Sequence, residues 1–215
     1  MDFWEKNKEN FMLSKKQLFL LSTLFFISGM SGLTYQVAWQ RALYSAFGSD
    51  VESVAIIVSA FMLGLGFGAL GGGKIVDKYP NKALQFFCFS ELGIGLFGLI
   101  SYQLILFIGD IFVVYNIIII AIVNFLLVLI PALLMGATLP ILITYIAQFW
   151  KNIGQTTGHL YAINTFGAAI GAALTGFILF NYFNLHMVTI FAALGNFIVA
   201  TLAYLFFNKS QIKNS

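Results

Sequence analysis

The chain has 215 residues, of which 60% are hydrophobic and 9% charged, with a formal net charge of +3. Ordinary soluble domains are about a quarter charged, so a water-covered globule is excluded, and the slight basic excess gives no footprint for nucleic acid. Residues 111–149 carry no charge at all, which is the composition of membrane-embedded chain.

A hydrocarbon core about 30 Å thick takes about 20 apolar residues of helix, and only structures that satisfy their own backbone hydrogen bonds can cross it. The alternating pattern of an outer-membrane barrel is missing. The expected fold is all-α: a polytopic bundle of six transmembrane helices at about 17–39, 51–73, 84–108, 112–147, 158–182 and 187–207. Segments 1–16 and 208–215 flank it. Cytoplasmic loops collect Lys and Arg. With both termini inside, Lys6, Lys8, Lys15, Lys16, Lys74, Lys78, Lys82, Lys151, Lys209 and Lys213 are cytoplasmic and only Arg41 is outside. A seventh span would put Lys151 and both C-terminal lysines outside, so six is preferred.

The first span follows lysines as a signal sequence would, but it is too long for an h-region and lacks an A-x-A-like site, so an uncleaved anchor is expected. Its outer end reads Tyr35-Gln36-Val-Ala-Trp39-Gln-Arg41. Tyr and Trp favour the membrane interface, so Tyr35 and Trp39 are expected there as anchors. Arg41, near Asp50 and Glu52, is either an external gate or recognition patch, or a solvated ion pair.

The second span holds a glycine run, residues 64–73. Gly66-Phe-Gly68-Ala-Leu-Gly71 fits the dinucleotide pattern G-x-G-x-x-G, but that pattern must join a strand to a helix in a soluble βαβ unit. The overlapping G-x-x-x-x-G-K of residues 68–74 lacks the Ser or Thr that would bind Mg²⁺, because Ile75 stands there. Gly64, Gly68 and Gly72 instead recur every four residues and form a stripe where another helix can pack closely.

Glu91 lies about two turns into the third span. An ionisable group there is costly and by default a functional candidate. It is either a cation or proton site, or a hydrogen-bonded carboxyl that fixes packing. Cys88 has no second cysteine to pair with and reads as a small apolar residue. The fourth stretch is too long for one straight span. Its Pro131 and Pro140 can kink or break a helix, so it is a broken helix or two short spans. Met135-Gly136-Ala137-Thr138-Leu139-Pro140 is either a cavity-lining break or a kink that fits the bundle.

In the fifth span Asn164 stands beside Gly167 and Gly171, a second close-packing face. The other span amides, Asn116, Asn124 and Asn196, are expected to be packing devices, since interhelical amide bonds are worth only about 0.6 to 2 kcal/mol. His159 and His186 fall near opposite membrane faces, so no metal site is expected, and no cofactor either.

Ser28-Gly29-Met-Ser-Gly32-Leu33-Thr-Tyr35-Gln36-Val-Ala-Trp39-Gln-Arg41, Glu91-Leu-Gly93-Ile-Gly95, the Met135–Pro140 motif and Leu160-Tyr161-Ala162-Ile163-Asn164-Thr165-Phe-Gly167-Ala168 together resemble the multi-pass membrane region of bacterial fused spermidine-synthase-like proteins. In that family a soluble aminopropyltransferase-like domain follows the membrane part. Only residues 208–215 follow the last span here, so that domain is expected to be missing and aminopropyl transfer is not carried over. The family usually has Glu where this chain has Gln36. The resemblance implies a bacterial inner-membrane protein and adds Tyr161, Thr138 and Pro140 to Glu91 and Asn164 as an expected solute or ion pathway.

The loop after the second span resembles the cytoplasmic signature of major facilitator transporters, G-x-x-x-D-[RK]-x-G-R-[RK]. Gly73, Asp77, Lys78 and Lys82 fit it, while Pro80 and Asn81 depart from it. This resemblance implies a cytoplasmic gate and half of a facilitator transporter, completed by a second copy or another partner. Two functions follow as expectations. One is a transporter-like protein for a small polar or cationic solute, polyamines included. The other is a non-transporting membrane subunit serving a separate aminopropyltransferase-like or methyltransferase-like protein. No nucleophile with a base, carboxylate pair or metal cluster marks the chain as an enzyme by itself.

Overall fold

The computed structural model describes residues 15–47, 50–112, 117–149 and 152–212. Six long helices make it up: α1 (Lys15–Phe47), α2 (Asp50–Lys78), α3 (Ala83–Phe112), α4 (Ile117–Ala147), α5 (Ile153–Leu174) and α6 (Leu185–Ile212). With the short turns that continue two of them, they give six stretches long and apolar enough to cross a membrane, namely Lys16–Ser45, Val54–Lys78, Pro80–Ile111, Ala121–Ala147, Ile153–Tyr182 and Leu185–Phe207.

Local chemistry sets several of the ends. A single 3₁₀ turn, Pro80–Lys82, joins α2 to α3, with proline at its start, where a missing N–H costs least. The Gln148 side chain at the end of α4 donates to the Pro80 carbonyl at 2.7 Å and ties the two turns together. Asn152 caps α5 by accepting from the Gln155 N–H. Asn184 does the same for α6 through the Met187 N–H, satisfying donors that a helix start leaves orphaned.

Residues 117–147 form one continuous helix despite Pro131 and Pro140, which keeps the preferred count of six and is neither a broken helix nor two short spans. The Thr138 hydroxyl donates to the Met135 carbonyl at 2.7 Å in the turn before Pro140, whose missing N–H leaves the Gly136 carbonyl without its usual helical donor. The irregularity falls in α5 instead, which passes through a π-helical turn at Thr175–Leu179 and a last turn at Phe180–Tyr182. Thr175 sits at its start, donating to the Gly171 carbonyl and lying 3.1 Å from the Thr34 hydroxyl of α1.

The helices pair chiefly as α2 with α4, α1 with α5 and α3 with α6, and α1 also touches α2, α3 and α6. Small residues permit the closest of these approaches. A Cβ at Gly64, Gly68 or Gly72 would strike Ala132, Leu133 or Ala137 of α4, and one at Gly136 would strike the backbone of Leu65 in α2. Gly167 and Gly171 of α5 lie in the same way against the Phe26 and Met30 carbonyls of α1. Gly66 and Gly71 face open space on the other side of α2.

The buried apolar residues form two clusters rather than one. The first lies at the end of the bundle that holds the α2–α3 turn: Leu21 and Phe25, Val76, Leu84 and Phe87, Leu142 and Tyr145, Leu160, Val199 and Phe207. Cys88 belongs to it as a free, buried thiol. The second lies at the opposite end, around Tyr35, Trp39, Leu43, Ile57, Phe61, Ile105, Val128 and Ala193. Between them lie buried polar residues, among them Ser28, Ser31, Thr34, Ser90, Glu91, Thr138 and Asn196.

Candidate functional site: a polar cavity at mid-span

Glu91 is fully buried. Its Oε1 accepts from the Ser28 hydroxyl of α1 at 2.6 Å, and its Oε2 accepts from the Asn196 Nδ2 of α6 at 2.7 Å. One carboxylate thus joins three helices, and Asn196 is the middle residue of the span Leu185–Phe207. No cationic side chain pairs with Glu91 among the described residues; both donors are neutral.

Beside this triad is a cavity of about 90 Å³ lined by residues of α1, α2, α4, α5 and α6. Its polar lining is Ser28, Thr138, Asn164 and Asn196; Phe61, Leu65 and Met135 supply apolar wall. Glu91 stands behind Ser28 and Asn196. Asn164 is held by a bond from its Nδ2 to the Phe25 carbonyl at 3.1 Å, which the bare Gly29 makes room for by pressing against Asn164. The Oδ1 of Asn196 is buried and has no hydrogen-bond partner among the described residues.

The fold therefore brings Asn164 and Thr138 to one cavity, with Glu91 directly behind it. Pro140 and Tyr161 do not line it. Tyr161 is 62% exposed on the open face of α5. Ser28 and Asn196 are the groups that sequence reasoning undervalued. Ser28 appeared only inside a motif, and Asn196 as one amide among four; nothing in the linear order pairs either with Glu91.

The outer motif is also corrected. Tyr35 and Trp39 are fully buried, because α1 continues to Phe47 and carries them inside the bundle. Their rings stack at 4.9 Å, Trp39 meets Phe97 edge-on, and the Trp39 indole N–H donates to the Ser101 hydroxyl of α3 at 2.8 Å. Gln36 is half-buried. Arg41 is exposed and lies 4.7 Å from the Phe180 ring centroid at the end of α5, a cation–π contact; the side chains of Asp50 and Glu52 fall outside the described residues.

At the end of α2 and the turn after it Asp77, Lys78 and Lys82 are exposed, and Gly73 is half-buried near Pro140. Lys78 and Lys82 both approach the Tyr79 ring, at 5.3 and 5.9 Å. Asp77 makes no ion pair among the described residues, and Asn116 and Lys151 lie outside them. His159 contacts the Ser22 hydroxyl at 3.3 Å, and His186 contacts Gln103 at 2.6 Å. Among the described residues no three His, Cys, Asp or Glu side chains gather as a metal site.

Comparison with known proteins agrees with the helical layout. The family described as the Major Facilitator Superfamily matches residues 20–215. A polyamine aminopropyltransferase of Corynebacterium efficiens is 31% identical over 167 residues, which cover 76% of this chain and 30% of that protein. The chain thus spans less than a third of the curated relative's length. No solved structure matches. With six membrane-crossing helices and a family match over nearly its whole length, this multi-pass membrane protein belongs to the major facilitator superfamily, and its bundle corresponds to half of such a transporter.

Proposed function

We propose that this transporter-like protein works in a bacterial inner membrane and handles a small polar or cationic solute, polyamines among the candidates, through the cavity beside Glu91. One observation carries the reading: a fully buried carboxylate with only neutral donors stands next to a polar cavity between two apolar clusters. A charge at that depth is costly. A purely structural layer could be built from hydroxyls and amides alone, whereas a carboxylate can exchange its counter-charge with something that moves. Two copies of the chain would complete a pathway around the midplane, and the loop bearing Asp77, Lys78 and Lys82 would close its cytoplasmic side.

Uptake of labelled putrescine, spermidine and small neutral amines or amides into proteoliposomes tests this. Wild-type protein should exceed empty vesicles, and Glu91→Gln should lower the rate about tenfold or more, equivalent to losing roughly 1.4 kcal/mol of interaction. Asp77→Asn should leave solute binding intact while slowing uptake. A protein that moves none of these solutes, or whose uptake ignores Glu91→Gln, would overturn the proposal.

A second reading has its own observation, the match to part of a polyamine aminopropyltransferase. In it the bundle anchors or feeds a soluble aminopropyltransferase-like partner. Purification in mild detergent that recovers such a protein in fixed ratio would favour this reading over transport.

A further inference from the structure

The polar groups around the cavity share an orientation. Ser28 gives its hydrogen to Glu91 and Thr138 gives its hydrogen to the Met135 carbonyl. Asn164 turns its amide nitrogen to the Phe25 carbonyl, and Asn196 turns its own to Glu91. A hydroxyl that has given away its one hydrogen, or an amide whose nitrogen is turned elsewhere, keeps oxygen lone pairs to offer. The unpartnered, buried Oδ1 of Asn196 is the clearest case. The cavity thus presents acceptors, with a carboxylate behind them and no Lys, Arg or His in its wall.

From this we infer that the cavity is a binding site for one compact monovalent cation, either a small alkali ion or the –NH3+ end of a short amine. An anion would face a carboxylate and unshared lone pairs. Transition metals favour imidazole or thiolate, and neither lines the cavity. Calcium takes six to eight oxygens, with carboxylates prominent among them, whereas a single carboxylate balances a single positive charge. Size is compatible: the cavity of about 90 Å³ exceeds what a single water needs, so it has room for a small ion with water or for the –NH3+ end of an amine. The four neutral oxygens would replace part of the cation's hydration shell, while Glu91 supplies the opposite charge that the bundle otherwise lacks.

This inference rests on reading the cavity as the solute-handling site, and equilibrium binding separates the two. The full chain, purified in mild detergent, is unfolded by heat in choline chloride and then with choline replaced by sodium, potassium or methylammonium at constant ionic strength. At least one small cation should raise the midpoint saturably by about 2 °C or more. Saturation by an alkali ion identifies a metal cation; saturation by methylammonium alone identifies the amine. Glu91→Gln should abolish the rise, and the milder Thr138→Val should shift its half-saturation several-fold. If no small cation outperforms choline in the wild type, or the rise persists in both variants, the inference fails. A midpoint shift without transport would sink the transport proposal alone, and transport without a shift would sink only this one.

Discussion

Glu91 and Trp39 are both fully buried polar side chains, satisfied in different ways. The indole N–H of Trp39 has a single partner, Ser101, and the rest of the ring packs against Tyr35, Phe61 and Phe97. This is a structural arrangement, with no cavity-lining residue among those partners except Phe61. Hydrogen bonds between membrane helices average about 0.6 kcal/mol and reach about 1.7. A double-mutant cycle of Trp39→Phe and Ser101→Ala should therefore give a coupling energy of roughly 0.6 to 1.7 kcal/mol, read from unfolding in detergent, with ligand-dependent shifts unchanged. A coupling near zero would mean that stacking alone holds the indole. The sequence marks Glu91 as unusual because a charge interrupts an apolar span. It says nothing of Ser28 or Asn196, whose amide and hydroxyl look like any others in a membrane helix until α1, α3 and α6 meet.

At the scale of elements, α2 shows both faces of one glycine-rich helix. Gly68 presses on the Leu133 backbone of α4, whereas nothing lies near a Cβ built on Gly66. Gly68→Ala should destabilise the bundle by about 1 to 3 kcal/mol through overpacking. Gly66→Ala should be neutral or stabilise by roughly 0.5 to 1 kcal/mol, since alanine lowers the backbone entropy lost in a helix. Thermal unfolding of the two variants checks the contrast; equal effects would mean that α2 and α4 do not approach through the Gly68 face. The four-residue repeat of Gly64, Gly68 and Gly72 is legible in the chain, but its partner is not. The π-helical turn of α5 has no comparable signal: Thr175 is an ordinary residue whose bonds to Gly171 and Thr34 become visible only in the packed pair.

For the whole molecule, the most apolar 18-residue stretch of α5 is the least buried of the six, 17% inside the bundle against 50% for that of α1. Its open surface carries Tyr161, Phe166, Ile170 and Phe177, and the open side of α2 carries Phe67 and Leu70. If a second copy completes the pathway, these surfaces are where it would pack, and symmetric pairs are the commonest oligomers. The particle in mild detergent should then have twice the chain mass, and Tyr161→Ala should weaken that pairing while leaving the fold of each copy intact. A fully active single-chain particle would remove the need for a second copy.

The chain alone determines the number of helices, the sign of their ends and where glycine allows close contact. Each of these follows from a property of separate residues: apolar length set by bilayer thickness, charge sorted by side of the membrane, and a missing side chain. Only the tertiary structure decides which apolar residues face inward. Lipid tails are as apolar as leucine, so hydrophobic pattern does not separate core from lipid-facing surface in a membrane bundle. That is why Tyr35 and Trp39 read as interface anchors yet lie inside. It is also why a carboxylate, a serine and an asparagine more than 60 residues apart in pairs become one site only when three helices bring them to the same depth.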